Sequence, residues 1–580
     1  MNRRLRAVSP RPGWRSLASL QSTDVTPILV LFVLPLAALL VDHQWIFGDP
    51  VRDPWIYYGY FRNGPDYLAT FKQLYYSSRL SVILPGYWIH SLLAPIPANL
   101  VLHLGMYWAS LFSFYGIARA FFGTGTALLS ALCLGSNPFF LLAVGQNYVD
   151  GFGITYFLLA LLGLTLAGRV RFWKISLVFA GVCAAAMISA NLFYAVYLPF
   201  LVVFFLNDRR ETPRAIPASA ALFSAGGAAV FASLGFLSKA AGGSFLYLLS
   251  SGRFVRGFVQ HVNPFKAPWP QWLPGAVWLS VPMIILIGSL IVLSRSRSRE
   301  AGDAGRRIRS AQLLFIAFAL LMLGLQLSPY AAVLQYSYYA SLMIPLASLA
   351  FAGQVAFLLR ASPPPGWLSG LAFAAAVLTA GMDLNDPQRL PLSHFPALLA
   401  LLVGLGAPIA LWVGATGART AAILLLSAAA SQGVAKQFVP FGRPFEQFHQ
   451  DRASLFREID DSITAVRQID RSGNVFFWWN ASEDLAQVYD CIAATSLSGK
   501  RIVNLGFPDT RGGVMAEGGR MTPHMKIAVL SREPQFAKAE SALSQIGLHG
   551  RLLTTRRIAV TNGGFTMMFL ELARASRRAN

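Results

Sequence analysis

Apolar segments of bilayer-spanning length recur along the first three-quarters of this 580-residue chain, and that rhythm restricts the possible folds more than any motif does. A spanning helix needs about 20 mostly apolar residues. Candidates lie near 26–46, 98–118, 125–144, 151–168, 174–189, 191–206, 216–237, 274–294, 311–328, 334–358, 367–382, 395–413 and 420–438, about thirteen in all. The apolar run through Ser189-Ala190-Asn191 is too long for one span and reads as two helices joined by a tight re-crossing. Only 13% of residues are charged, where a soluble domain carries about 25%. The expected class is therefore an α-helical polytopic membrane protein.

The net charge of +22 would suit a nucleic-acid partner if the bases formed a patch. Instead they sit in short runs between apolar segments: RVRFWK (169–174), NDRRETPR (207–214), the Arg/Ser stretch 294–310, Arg360 and Arg419. Lys and Arg placed this way set topology, so no nucleic-acid partner is expected. The opposite loops are base-poor: 146–150 has none and 383–394 has one. This asymmetry predicts a cytoplasmic N-terminus, and an odd number of spans then puts 440–580 outside, in the periplasm of a cell with an inner membrane. The Arg-rich start before the apolar run 27–41 reads as an uncleaved first span, without a small-x-small cleavage site. Cys133, Cys183 and Cys491 are scattered and form neither a metal motif nor a disulfide framework.

Residues 1–439 form the expected membrane domain, with a first outer loop at 47–97 and a second at 238–273. The second loop, rich in Pro and Trp, reads as irregular backbone lying at the membrane interface. From 440 the composition becomes that of a soluble domain. Helix patterns at 445–469, 483–497 and 534–546 alternate with strand-like runs at 474–479, 501–507, 525–531, 551–560 and 565–573. That alternation predicts a C-terminal α/β domain.

The first outer loop, GDPVRDPWIYYGYFRNGPDYLATFKQLYYSSRLSVILPGYWIH (48–90), packs acids, bases and many aromatics into a region otherwise poor in charge. Asp53 follows the first span, and Asp150 lies in GQNYVDG (145–151), where the third span hands over to the fourth. Both belong to the outer side at similar depth. Two such carboxylates can supply a general base and ligands for a divalent cation. The same residues also suit helix capping, since Asp is a favoured N-cap and Pro54 fits a first helical position. Arg79 at headgroup depth suits a phosphate or diphosphate through paired hydrogen bonds, or else anchors the interface by snorkelling. Asp49, Arg52 and Tyr57 beside it, with Arg256, His261 and Lys266 in the second loop, complete the candidate substrate-binding set.

No Walker loop, Rossmann glycine fingerprint or HExxH motif occurs, which argues against ATP-driven transport, a zincin protease and a nucleotide cofactor. A polysaccharide or lipid transporter of the cell envelope is the alternative. Ion-coupled transport usually places ionisable groups inside the spans, whereas here they collect at one surface. A structural or sensory protein working through its C-terminal domain is a third reading.

The acidic stretch Asp49–Asp53 with WIYYGYF after it, the long first loop, SRLSVILPGYWIH (78–90), Asp150 in NYVDG and an outer C-terminal domain resemble the GT-C class of membrane glycosyltransferases. That class includes protein O-mannosyltransferases, aminoarabinose transferases and oligosaccharyltransferases. The resemblance implies sugar transfer from a polyprenyl-phosphate-linked donor to a lipid, glycan or protein acceptor at the outer face of the inner membrane, among membrane lipids. It implies Asp53 as the catalytic acid, Asp150 as its partner or a metal ligand, and a divalent cation such as Mg, Mn or Zn. The chain departs from many relatives in having Asp53-Pro54 in place of a tandem Asp-Glu. It also lacks the WWD-type motif of oligosaccharyltransferases, which Trp478-Trp479-Asn480 only approximates.

Overall fold

The structure, a computed structural model, describes residues 22–41, 43–47, 52–72, 74–208, 215–260, 266–272, 279–296, 303–335, 337–359, 452–469, 475–480, 495, 505–507, 524–531, 536–545, 547–558 and 565–574. The expected spans 367–382, 395–413 and 420–438 lie outside the described residues, as does the helix pattern at 483–497 apart from Thr495.

The membrane domain begins with α1 (Ser22–Val41), α2 (Arg52–Thr70), α3 (Leu80–Leu92), α4 (Pro95–Phe122), α5 (Thr124–Gly135), α6 (Pro138–Gly145), α7 (Val149–Ala167) and α8 (Trp173–Ala190). It continues with α9 (Leu198–Asp208), α10 (Ala215–Ala240), α11 (Leu248–Gln260), α12 (Trp269–Trp272), α13 (Ser280–Ser296), α14 (Asp303–Leu327) and α15 (Ile344–Leu359). Six helical stretches among the described residues are long and apolar enough to cross a bilayer: Pro95–Phe122, Val149–Ala167, Trp173–Ala190, Ile216–Ala240, Asp303–Leu327 and Ser341–Leu359. The chain is a multi-pass membrane protein, because lipid leaves a spanning backbone no partner but its own helix.

Two expectations are corrected in detail. The stretch 125–144 is not one straight span: α5 and α6 bend by 66°, because Pro138 starts α6 and the Asn137 side chain caps it by accepting from Phe140 N at 3.1 Å. The stretch expected at 26–46 falls largely on α1 and that at 274–294 largely on α13. The second outer loop is not irregular throughout, since α10 runs into it and α11 folds within it. The break at Asn191 is present, with extended backbone (φ −158, ψ 126) between α8 and a short helical turn Leu192–Tyr197 that precedes α9.

Inside the bilayer no hydrophobic force drives helices together, so close approach depends on small side chains. Helices α8 and α10 meet at Gly181 and Gly226. A Cβ at Gly181 would lie 1.9 Å from the Phe223 carbonyl oxygen, and one at Gly226 would lie 2.1 Å from that of Val178. Both obstacles are backbone, so neither can swing aside.

The described C-terminal elements are α16 (Arg452–Ile469), β1 (Val475–Asn480), β2 (Leu505–Phe507), β3 (Lys526–Ser531), α17 (Phe536–Gln545), β4 (Leu548–Ile558) and β5 (Phe565–Arg574). The strands form one mixed sheet in the order β2-β1-β3-β5-β4, with β1 parallel to β2 and β3 and the β3-β5-β4 side antiparallel. Consecutive buried residues Ile527, Ala528 and Val529 in β3 and Met567–Leu570 in β5 show these strands covered on both faces.

Helix α16 joins this region to the first outer loop. Phe456 sits in an aromatic cup with ring centroids 5.7 Å from Phe47, 5.7 Å from Trp55 and 5.2 Å from Tyr58. Asp460 accepts the Tyr58 hydroxyl at 2.8 Å and ion-pairs with Arg62. Burial pulls the Arg62 guanidinium down, but Tyr58 and Asp460 outweigh it and hold Arg62 above its ordinary range. One residue on, α2 kinks at Asn63 (φ −130, ψ 30), whose side chain accepts from Arg467 and donates to the Thr495 carbonyl at 3.2 Å.

Two outcomes follow. Gly181→Ala should lower the thermal midpoint of the detergent-purified protein by the equivalent of about 1–3 kcal/mol. Gly324→Ala, where nothing lies within 4 Å of the added Cβ, should leave it unchanged or raise it slightly. Asp460→Asn removes the charge that pairs Arg62, both side chains being under one-fifth exposed, and should cost about 1–3 kcal/mol in the same assay. Midpoints that do not distinguish these variants would contradict the packing described.

Candidate active site

The first outer loop folds as α2, a one-turn helix at Tyr75–Ser78, and α3. Asp53 lies in the first turn of α2, where free backbone N–H groups favour negative charge. Its carboxylate is turned toward two tyrosines: Tyr76 donates to Oδ1 at 2.9 Å and Tyr148 donates to Oδ2 at 3.4 Å. Tyr148 belongs to the extended link between α6 and α7, two residues before Asp150. Chain segments about one hundred residues apart thus meet at one carboxylate.

Asp150 occupies the equivalent place in α7, its first turn, and is buried. Tyr194, from the turn after the Asn191 break, donates to its Oδ1 at 2.6 Å. This turn sits tightly on α6: a Cβ at Gly151 would lie 2.5 Å from the Ala143 carbonyl oxygen. The buried His103 ring on α4 lies with Nδ1 2.7 Å from the Val144 carbonyl and steadies the same corner from behind. Tyr148, two residues before Asp150, reaches Asp53, so one chain segment links the two carboxylates.

Arg79, at the start of α3, is buried beside them. It donates to the Tyr57 hydroxyl, and its guanidinium carbon lies 4.8 Å from the Tyr75 ring centroid, 5.6 Å from Tyr57 and 5.8 Å from Tyr76. Burial alone would drive this guanidinium toward neutrality. The Tyr57 hydroxyl that accepts from it and the ring faces around it take the place of water, so it stays cationic. Tyr57 is itself lifted far above the ordinary tyrosine range by burial, against the pull of Arg79, and remains a neutral hydroxyl. Tyr75 is pushed up to about 12, by burial first and then by Asp53.

The second outer loop reaches the same place through α11. The Ser78 and Ser251 hydroxyls are hydrogen-bonded, and the Phe254 ring stacks on Tyr75 at 4.1 Å. Of the basic candidates in that loop, Arg256 is exposed on α11. Lys266 donates to the Gln326 carbonyl at 2.6 Å and to that of Ser328, tying the loop to the end of α14. Asp49, the Arg52 side chain and His261 lie outside the described residues. The structure therefore gathers Asp53, Asp150, Arg79 and Tyr57. Tyr76, Tyr148, Tyr194 and Ser251 were not singled out by sequence reasoning; for Tyr148 the one signal was its place beside Asp150 in NYVDG.

Among the described residues no three His, Cys, Asp or Glu side chains converge as a metal site. The carboxylate pair is a hard-oxygen donor set that suits Mg²⁺ or Mn²⁺, which bind through one or two carboxylates and complete their shells with substrate phosphate or water.

No family model matches the sequence, and no curated protein matches it. Solved structures do. ArnT from Cupriavidus metallidurans bound to undecaprenyl phosphate superposes with a TM-score of 0.51 at 14% identity, covering 94% of this chain and 98% of that one. The same protein in the apo state gives a TM-score of 0.47 at 13% identity, over 96% and 99% of the two chains. The Archaeoglobus fulgidus oligosaccharyltransferase in the apo form gives 0.48 at 12% identity, over 96% of this chain and 74% of that one. The first match spans both chains nearly end to end, and with it the architecture is identified: this chain is folded like ArnT.

Proposed function

We propose that this protein is a membrane glycosyltransferase that moves a sugar from a polyprenyl-phosphate-linked donor to a lipid, glycan or protein acceptor. The observation that carries this reading is the convergence of Asp53, Asp150 and Arg79, two acids and one buried cation from three segments, within a shell of tyrosine hydroxyls. The undecaprenyl phosphate in the ArnT structure supports a donor of that class. In this reading the reaction occurs at the outer face of the inner membrane, the N-terminus is cytoplasmic, and thirteen spans precede an extracytoplasmic α/β domain.

The half-buried Asp53 takes the proton of the acceptor as the acceptor atom bonds to the sugar carbon. The bond from that carbon to the phosphate oxygen breaks, and polyprenyl phosphate leaves with the electron pair. Tyr76 and Tyr148 hold Asp53 in place by donating to both of its oxygens. Arg79 stabilises the departing phosphate, where a fixed cation in a dry site acts most strongly. Asp150 is held by Tyr194 and offers a second carboxylate for cation binding. A divalent cation would be held by Asp53 and Asp150, and when bound it would neutralise phosphate charge.

The test uses the full-length protein in liposomes with a polyprenyl-phosphate sugar and follows release of polyprenyl phosphate. Asp53→Asn and Asp150→Asn should each reduce release by about a hundredfold or more. Tyr76→Phe removes one hydrogen bond to Asp53 and should cost about fivefold. Arg79→Lys keeps the charge but loses the paired donors, and its turnover should fall more than its donor KM rises. Unimpaired release by Asp53→Asn would remove its assigned role. Movement of lipid-linked sugar across the bilayer with no bond cleavage would replace the transferase by a transporter.

A further inference from the structure

The cavities lined entirely by described residues lie at the other end of the helices from the carboxylates. His103 beside the Asp150 corner and Phe121 are eighteen residues apart on α4, which at 1.5 Å per residue is roughly 27 Å, the thickness of the hydrocarbon core. There a cavity of about 280 Å³ opens between α4, α5, α14 and α15, lined by Phe121, Phe122, Thr124, Thr126, Ile308 and Leu359 among others. An adjoining groove shares Phe121 and Phe122 and adds Phe204, Asn207, Arg306 and Arg307.

We propose that this pair of cavities binds the phosphate headgroup of an anionic phospholipid from the leaflet opposite the carboxylate site. Charge is the first argument. The Arg169 and Arg307 guanidiniums both lie over the Phe121 ring, 4.7 Å and 5.4 Å from its centroid, which concentrates positive charge on one wall. Arg119, Arg171, Lys174, Arg306 and Arg309 belong to the same ends of the helices, against Asp208 and Asp303. Arg306 adds a specific donor: its Nε is buried with no hydrogen-bond partner, and its ion pair with Asp303 is loose, at 3.7 Å. A phosphate oxygen would satisfy that donor.

The floor of the cavity is of the matching kind. Helix α5 starts there with Gly123 at φ +89 and no side-chain cap, so its first N–H groups and the Thr124 and Thr126 hydroxyls are donors for an anion. The mouth explains why the anion is a lipid. Phenylalanine and leucine rim it, and exposed Leu313 and Leu320 continue that apolar surface along α14, the path acyl chains would follow. Basic pockets between spanning helices suit anionic headgroups. This site is independent of the transferase reading.

Native mass spectrometry of the full-length protein, released from nanodiscs of mixed phosphatidylcholine and phosphatidylglycerol, tests it. The wild-type chain should retain phosphatidylglycerol selectively. Arg306→Gln should weaken retention about fivefold, and the Arg306→Gln/Arg307→Gln pair further. Arg306→Lys should keep most of it, and Lys239→Gln, at the opposite end of the helices, should change nothing. Unchanged thermal midpoints in pure phosphatidylcholine would show the variants folded, and the single Arg306→Gln variant serves if the double one fails to fold. Equal retention by wild type and Arg306→Gln would overturn the proposal. So would displacement of the lipid by inorganic phosphate alone, which would make this a site for a free anion.

Discussion

A carboxylate leaves water only where other groups take over its hydration, and that requirement organises this molecule. Asp53 is met by hydroxyls from Tyr76 and Tyr148, Asp150 by Tyr194, and the buried Arg79 lies within a cage of tyrosine rings. Neutral tyrosine hydroxyls suit this task, because each donates to a carboxylate without cancelling its charge. Had lysines or arginines supplied the same bonds, the opposite charge would make the acids weaker bases. The tyrosines come from several segments, so the charges stay buried only while α2, the link before α7, the turn at Tyr75–Ser78 and the turn after Asn191 keep their places.

The membrane helps to keep them there. With its backbone bonds satisfied within each helix, a spanning segment behaves as a stiff rod, and the freedom left is sliding or separation. Glycines at the α8–α10 crossing let backbones touch, so little separation remains. The aqueous chemistry is consequently confined to the ends of the rods. At one end the acids and Arg79 gather, and at the other the basic residues around Phe121 form a phosphate-friendly surface of a different kind.

The C-terminal region bears on the same site through α2. Asp53 stands in the first turn of that helix, and Tyr58, Arg62 and Asn63, further along it, are gripped by Asp460, Arg467 and Thr495. A shift of α16 would therefore move the helix that carries the carboxylate. At the kink itself the Asn63 side chain makes the contact, accepting from Arg467 and donating to the Thr495 carbonyl.

The apolar rhythm, the run of acids and aromatics at 48–90 and the bases confined to short loops were legible because each is a local property: hydropathy needs only length, and charge placement only order. The strand pattern after 474 was legible for the same reason, from β1 through β5. What stayed hidden depended on bends and pairings. Pro138 and Asn137 turn an apolar run that looks continuous, α11 forms inside a loop that reads as irregular, and Lys266 binds backbone carbonyls at the end of α14. Sequence alone determined that this chain would cross a membrane many times. Only the tertiary structure decided that Asp53 and Asp150 share one tyrosine-lined site with Arg79, because their meeting depends on how helices pack across a hundred residues of chain, which no local pattern records.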